Sequence, residues 1–343
     1  MKTAEVSTRR GTILRVVVAH YIACGVPAAS EAVARRYSLR ISPATVRNEM
    51  AFLEERGYIR RPHSAAGGVP SDKGYRYYVE SLMNGAKMSQ RERRRIQEFF
   101  SQVEREPDEW ARLAVSVLTQ RLRSIALATP ARAAVCHFRR LEVIRLQELV
   151  AMVVLVLREG QIKQRLIVLE RTTSEDELTA MANKLNEAYL GLDYDGISSR
   201  TLDLHLSPVE EVITRLLIEV METEDNRQYE RCYLDGWRYL LGSGEVIGNQ
   251  RMLELAEALE ERSVLNSLLG GLGDSAEIRI TIGNENANEV LRGCSVILSS
   301  YGACGRRGAI GVIGPTRMPY SRAIPMVEYV SALMSGLVET VYA

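Results

Sequence analysis

Cysteine and histidine are scarce, long apolar runs are missing, and neither sign of charge dominates. The five cysteines, Cys24, Cys136, Cys232, Cys294 and Cys304, form no CxxC pair. An odd, scattered set in a large chain argues against a disulfide framework and predicts reduced, mostly buried thiols. The four histidines, His20, His63, His137 and His205, have no zinc-motif spacing to thiols or carboxylates, so no metal site is expected. No run reaches the roughly 18 apolar residues that span a bilayer. The longest candidate, Leu149 to Leu157, is bounded by Glu148 and Arg158. The start, MKTAEVSTRRGTILRVVVAHY, lacks the apolar stretch and cleavage site of a signal peptide. A cytoplasmic protein with no membrane partner is the expectation.

Catalytic patterns are missing too. No Ser/His/Asp, Cys/His or paired-carboxylate arrangement can be assembled, and Cys136 and His137, adjacent in an expected strand over 133–138, would point to opposite faces. Glycines recur every third residue at Gly302, Gly305, Gly308, Gly311 and Gly314, but no Gly-Lys-Ser/Thr follows and no strand-to-helix turn holds them. A tight hairpin or close backbone packing explains them better than a phosphate loop. Neither an enzyme nor a cofactor is expected.

What is present is an average soluble composition, 46% hydrophobic and 25% charged over 343 residues, enough for two or three domains. The net charge of +1 conceals a division. Residues 1–80 carry 13 Lys/Arg against seven Asp/Glu, a net +6, which leaves −5 for the rest. A basic head on an acidic body places any polyanion-binding surface at the N-terminus.

Within that head, helical spacing runs from Arg9 to Ala23 and stops at Gly25-Val26-Pro27. A short second helix is expected from Glu31 to Tyr37, capped by Ser30. Ser42-Pro43 then opens a third, with Pro43 at the first position, and Gly57 ends it after about Arg56. Val46, Met50 and Leu53 fall at i, i+4 and i+7 and should face the core, which leaves Ala44, Thr45, Arg47, Asn48 and Arg56 outside. Arginine pairs with guanine, asparagine with adenine, and small side chains approach a thymine methyl, so this face suits a DNA major groove.

Tyr58 to Arg61 reads as a basic strand, His63 to Gly68 as a small-residue loop, and Val69-Pro70 as its return. Three helices and a basic hairpin describe a winged helix-turn-helix. The candidate DNA-binding residues are Ser42, Ala44, Thr45, Arg47, Asn48, Arg60, Arg61, His63, Ser64, Gly67 and Lys73. Helix residues should choose the sequence, while Arg60, Arg61 and the loop hold the phosphate backbone.

The stretch ISPATVRNEMAFLEERGYIRRPHSAAGGVPSDKGYRYYV resembles the recognition-helix and wing signature of the HrcA family of bacterial heat-inducible repressors. The stretch IGNENANEVLRGCSVILSSYGACGRRGAIGVIGPTRMPYSRAIPMVEYV is similar to that family's C-terminal signature. Two departures stand out. Gly68 occupies a wing position where the family usually has arginine, and Cys304 with Arg306-Arg307 stands where it tends to have glycine and fewer basic residues.

Beyond the head, Ser89 and Glu92 open a helix bearing Arg91 to Arg95, a connector whose arginines could touch flanking phosphates. Asp108 is the expected cap of the next helix, with Trp110, Leu113, Val117 and Leu118 as its apolar stripe. Strands are expected at 133–138, 141–146, 149–157 and 162–168, helices opening at Ser174 and Ser207, strands again at 277–282, 295–300 and 309–313, and a last helix from Tyr320. An α+β sheet interrupted by an insertion follows.

The resemblance implies a GAF-like domain over 106–170 and 236–343 and an inserted dimerisation domain over 171–235, after a DNA-binding domain at 1–84 and a helical connector at 85–105. The helix Val212–Val220 is the interface candidate of an insertion too small for its own core. The resemblance also implies a homodimer on an inverted-repeat operator of the CIRCE type upstream of chaperone genes, kept active by the GroE-type chaperonin. The alternative from another class is a regulator that binds a small molecule in its GAF-like domain.

Overall fold

The computed structural model describes residues 8–36, 41–63, 66–83, 87–103, 106–133, 135–158, 160–226, 231–241, 249–260, 262–269, 272 and 277–342. Tyr37, at the end of the expected second helix, and Ser64, in the expected loop, lie outside them. The chain forms two compact units. One comprises Met1–Pro130, Cys232–Ala303 and Gly308–Ala343, and the other Ala131–Arg231 with Cys304–Arg307.

The first unit opens with α1 (Thr8–Cys24), α2 (Ser30–Arg36) and α3 (Pro43–Glu55), then β1 (Ile59–Arg60) and β2 (Val69–Pro70). These two strands are antiparallel, with Ile59 opposite Pro70 and Arg60 opposite Val69. An isolated bridge joins Gly68 to Ala28, in the link between α1 and α2. Helix α1 buries Ile13, Leu14, Val16, Val17 and Val18, and α3 buries Val46, Met50 and Leu53, as the spacing predicts. Each fully buried aliphatic side chain contributes about 1.5–3 kcal/mol.

Next come α4 (Asp72–Tyr77), running into a π turn at Tyr78–Leu82, α5 (Gln90–Ser101), α6 (Pro107–Leu122) and β3 (Ile125–Ala128). In α5, Ile96 and Phe100 are buried, while Arg91, Arg93, Arg94 and Arg95 are exposed. Asp108 does not cap α6. Glu106 holds the N-cap position, because Pro107 with its fixed φ and missing N–H takes the first helical place. Trp110 is buried in the core.

The second unit consists of β4 (Arg132–Ala133), β5 (Phe138–Gln147), β6 (Val150–Leu157), β7 (Ile162–Val168), α7 (Glu175–Tyr189), α8 (Tyr194–Thr201) and α9 (Pro208–Asn226). Strands β5, β6 and β7 form an antiparallel meander in which Ile144, Met152 and Leu166 lie side by side. Its inner face, from Phe138, Leu141, Val143, Ala151, Val153, Leu155 and Ile167, shares one core with Leu178, Leu185, Tyr189, Ile213 and Leu217 of the helices.

That core corrects three expectations. The unit begins at Ala131 rather than 171, because strands and helices bury their apolar faces against each other. It has a core of its own, so the helix over Val212–Val220 directs Ile213, Leu217 and Val220 inward instead of presenting them to a partner. The strand expected over 133–138 is broken. Pairing with β6 starts at Phe138, and Cys136 and His137 precede it in irregular backbone.

The chain returns to the first unit with β8 (Tyr233–Asp235), α10 (Trp237–Leu241), α11 (Asn249–Glu260), α12 (Arg262–Leu269), β9 (Ile278–Ile282), β10 (Cys294–Ala303), β11 (Arg306–Pro315) and α13 (Tyr320–Tyr342). The sheet runs β8-β3-β11-β10-β9. Mixed helix and sheet, with antiparallel pairings, bears out the α+β class. The recurrent glycines lie on β10, β11 and their turn, where Gly308 and Gly311 leave room for the Tyr301 ring and for Leu298. Helix α13 packs on β10 through a buried stripe including Met326, Val330, Met334 and Val338. It is long and apolar enough to cross a bilayer by length and composition, with a mean hydropathy of 1.2, but that stripe is core.

Between β9 and β10 a 3-10 turn at Gly283–Glu285 is fastened by the buried Asn286. Its Nδ2 donates to the carbonyls of Gly283, Leu291 and Cys294 at 2.9, 3.0 and 3.0 Å, and its Oδ1 accepts from Thr281 Oγ1 at 2.7 Å. Asn286→Ala removes these side-chain hydrogen bonds, including the one that Thr281 Oγ1 donates, and is expected to destabilise the fold by about 1–3 kcal/mol, read from urea unfolding. An unchanged midpoint would show that the turn holds without it.

Candidate nucleic-acid interface

Helix α3 starts where the sequence predicts. Ser42 Oγ accepts the Thr45 amide at 3.2 Å and lies 3.0 Å from Thr45 Oγ1, so both hydroxyls are engaged in the cap. Ala44, Arg47 and Asn48 are exposed on the outer side, and Thr45 is half-buried. Among the described residues, neither Arg47 nor Asn48 has a hydrogen-bond or ion-pair partner. Their donors and acceptors are available to a ligand.

The rest of α3 is tied down. Arg10 Nε donates to Glu49 Oε2 at 2.7 Å, and the Arg10 guanidinium stands 3.6 Å from the centre of the Phe52 ring, with Arg56 on the same ring at 5.3 Å. At the C-terminus, Arg56 is the cap and Gly57 follows in left-handed backbone, φ 73°. Lys73 Nζ donates to the Arg56 carbonyl at 3.0 Å and lies 4.5 Å from the Tyr58 ring centre. A cation on the last carbonyls of a helix is favourable with respect to its dipole.

The expected cluster of basic residues therefore separates. Arg47 and Arg61 line one cleft of about 450 Å³ with Ala28, Ser30, Met50, Ala66 and Gly67. Arg61 also pairs with Glu54 at 3.3 Å, which fixes its direction and offsets part of its charge. Arg60 and Lys73 line a different cleft of about 530 Å³, together with Tyr21, Asp72, Asn284, Arg292 and Thr316. Arg60, the last residue of β1, and Arg61, just beyond it, thus face different clefts. His63 is exposed beside the loop, its carbonyl accepting from Ala66 N at 2.9 Å, and Ser64 lies outside the described residues.

The two wing glycines have structural reasons. A Cβ on Gly67 would come within 2.5 Å of the Ala28 carbonyl, so this residue must be small for the bridge between Gly68 and Ala28 to close. Gly68 itself is buried, and a Cβ there would meet Met50 Cε at 2.8 Å and Ile59 Cδ1 at 3.0 Å. Cys304, the other departure, sits exposed at the β10–β11 turn with φ 54°. Glycine adopts that conformation without the strain a side chain adds.

Sequence reasoning missed one set of residues. Asp72 and Arg76, four apart on α4, reach Asn284 and Glu285 in the turn between β9 and β10. The i, i+4 spacing marks them as one helix face, but nothing local names their partners.

The model of the HrcA protein C-terminal domain matches residues 108–324, more than half of the chain. The chain belongs to the HrcA family. A heat-inducible transcription repressor HrcA from Dehalococcoides mccartyi strain 195 is 41% identical over 335 residues, 97% of this chain and 96% of that protein. The Roseiflexus castenholzii protein of the same name is 36% identical, covering 99% of this chain and 96% of its own. A crystal structure described as a hypothetical protein matches with a TM-score of 0.64 at 22% identity, covering 98% of this chain and 99% of that one, which supports the fold. This HrcA-family chain is a transcriptional repressor of the heat response and not an enzyme.

Lys73 is thus a helix-end restraint. Lys73→Met is expected to lower stability by about 0.5–1 kcal/mol in denaturant titration. Should holding the helix end be its main task, the affinity for DNA stays within about twofold of the parent. A large loss of affinity with unchanged stability would return Lys73 to the DNA surface.

Proposed function

We propose that the N-terminal helices and hairpin are a winged helix-turn-helix, residues 1–84, whose helix α3 reads operator DNA. The carrying observation is the outer face of α3, where Ala44, Arg47 and Asn48 are exposed and Arg61 shares a cleft with Arg47. A guanidinium and an amide, each with free donors, provide the bidentate chemistry that separates guanine from adenine in the major groove. Arg61, His63 and the small residues at Ala66 and Gly67 then lie against the DNA backbone, where contact positions the protein without reading sequence. Residues 85–105 are the connector, and the antiparallel sheet with α13 is the GAF-like domain.

The second unit is the inserted dimerisation domain in this reading. The outer side of its meander presents Ile144, Met152, Val154, Ile162, Leu166 and Val168, with Leu166 65% and Val168 77% exposed. A contiguous apolar sheet face of this kind favours a partner, and a second copy fits a repressor that reads an inverted repeat. Two readers on one dimer bind such a repeat through effective concentration, which neither achieves alone.

The operator is the inverted repeat of the CIRCE type upstream of chaperone genes. The GroE-type chaperonin is the partner that maintains the active form, since an apolar face uncovered before dimerisation invites aggregation. Acting on the chromosome places the protein in the cytoplasm, at the nucleoid when bound.

The direct test is a footprint of the purified chain on its own chaperone-gene promoter, where two protected half-sites related by a two-fold axis are expected. Arg47→Ala or Asn48→Ala should weaken operator binding by about 1–3 kcal/mol and relax preference at one base position. Arg61→Ala should weaken all DNA alike and flatten the salt dependence. Full affinity in Arg47→Ala would sink this docking. For the dimer, Leu166→Asp should give a monomer in sedimentation with a native circular dichroism spectrum. A dimer of unchanged strength would move the interface elsewhere.

A further inference from the structure

Helix α4 is bonded on two sides. Toward the winged helix, Ser71 Oγ donates to the Gly57 carbonyl at 2.6 Å and accepts from Gly74 N at 3.1 Å, and the Ser71 amide donates to the Tyr58 carbonyl at 3.1 Å. Lys73 on the same helix holds the end of α3. The helix therefore moves with the reader. Toward the sheet, Asp72 Oδ2 accepts from the Asn284 backbone amide at 3.0 Å and from Asn284 Nδ2 at 2.9 Å.

One turn along, Arg76 Nε donates to Glu285 Oε1 at 2.9 Å, while its NH2 group donates to Glu285 Oε2 and, at 2.7 Å, to the Ile280 carbonyl. Between them the Tyr75 ring lies 5.8 Å from that of Tyr320, whose hydroxyl is 2.6 Å from Ser295 Oγ. Positions 72, 75 and 76 are one helix face.

The receiving turn is shaped for this contact. A Cβ on Gly283 would collide with the Asp72 carboxylate. Glu285 Oε2 also accepts the Ile282 amide at 2.8 Å, so the carboxylate that grips Arg76 is itself held. A half-buried, bidentate and oriented ion pair restrains geometry far better than an exposed one. The hydrogen bond to Glu285 raises the Arg76 pKa above its already high ordinary value, so the guanidinium keeps its charge.

We propose that this clamp sets the separation and orientation of the two readers in the dimer, with Asp72 and Arg76 as positioning residues for operator spacing. The proposal rests on the reading of α3 as the DNA-contacting helix of a two-fold repressor. An inverted repeat is bound tightly only when both recognition helices are presented at the spacing of its half-sites. A reader hung on a loose joint would tolerate many spacings and bind each with lower effective concentration. A clamped reader favours one.

The test uses the full-length chain, with the doubly substituted Asp72→Ala/Arg76→Met variant and the reversed pair Arg76→Glu/Glu285→Arg. Binding is measured to the footprinted repeat, to the same repeat with its spacer lengthened or shortened, and to a single half-site duplex. Hydrogen exchange at the Asn284 amide reports the clamp without DNA.

In the double variant we expect fast exchange at Asn284, half-site affinity within about twofold of the parent, binding to the natural repeat weakened roughly tenfold or more, and a flattened spacer profile. The reversed pair should recover part of the spacer preference. An open clamp with an unchanged spacer profile overturns the proposal alone, as does an equal loss on half-site and full repeat, which would make the contact a support of reader folding. A parent chain with no affinity for the half-site overturns the DNA reading and the proposal with it.

Discussion

A helix whose outer face is polar cannot hold itself in place, and in this chain every restraint on α3 comes from its inner side or its ends. Val46, Met50 and Leu53 seat it in the core. Glu49 ties it to Arg10, Ser42 closes its first turn, and Lys73 meets its last carbonyls. None of these uses Arg47 or Asn48. The helix backbone is held while Arg47 and Asn48 remain unengaged, so the ordering cost of binding a ligand there falls on those side chains and not on the helix.

The same restraints pass outward through α4. Ser71 fastens that helix to Gly57 and Tyr58, and one turn later Asp72 and Arg76 fasten it to a turn that Asn286 braces from within the sheet. The path from α3 to the sheet is thus a series of hydrogen bonds. Stiffness of this kind needs no large apolar interface. The glycine at 283 matters because closeness, not area, makes the joint.

Features decided within four residues were legible in the sequence. Ser42-Pro43, Ser89, and Ser174 with Glu177 open helices where their side chains can reach the first free amides, and the Ser174 box forms in full. The inward positions of α3 followed from period alone.

What escaped was non-local. Alternation in Val150–Leu157 says that β6 has two faces, but not that Tyr189 and Leu217 cover one of them, so the second unit was drawn too short. Positive charge in Arg60, Arg61 and Lys73 was readable, whereas its direction depended on contacts the spacing does not name, with Glu54 for Arg61, the Arg56 carbonyl for Lys73, and a cleft that includes Asn284 and Arg292 for Arg60. Asp108 lost the cap to Glu106 for a covalent reason, the proline between them.

The charge division between head and body gains meaning from where the head's acids go. Glu49 is paired with Arg10 and Glu54 with Arg61, so two of the acids that reduce the head's net charge are tied into its own fold, while Asp72 is engaged by Asn284 in the turn beside the sheet. Arg47 keeps its whole charge on the outer face, and Arg61 adds a steered, partly offset one beside it. A surface built this way attracts phosphate generally and leaves the unneutralised charge of Arg47 on the outer face of α3, the helix proposed to read sequence. On the proposed reading, non-specific attraction brings DNA to that face.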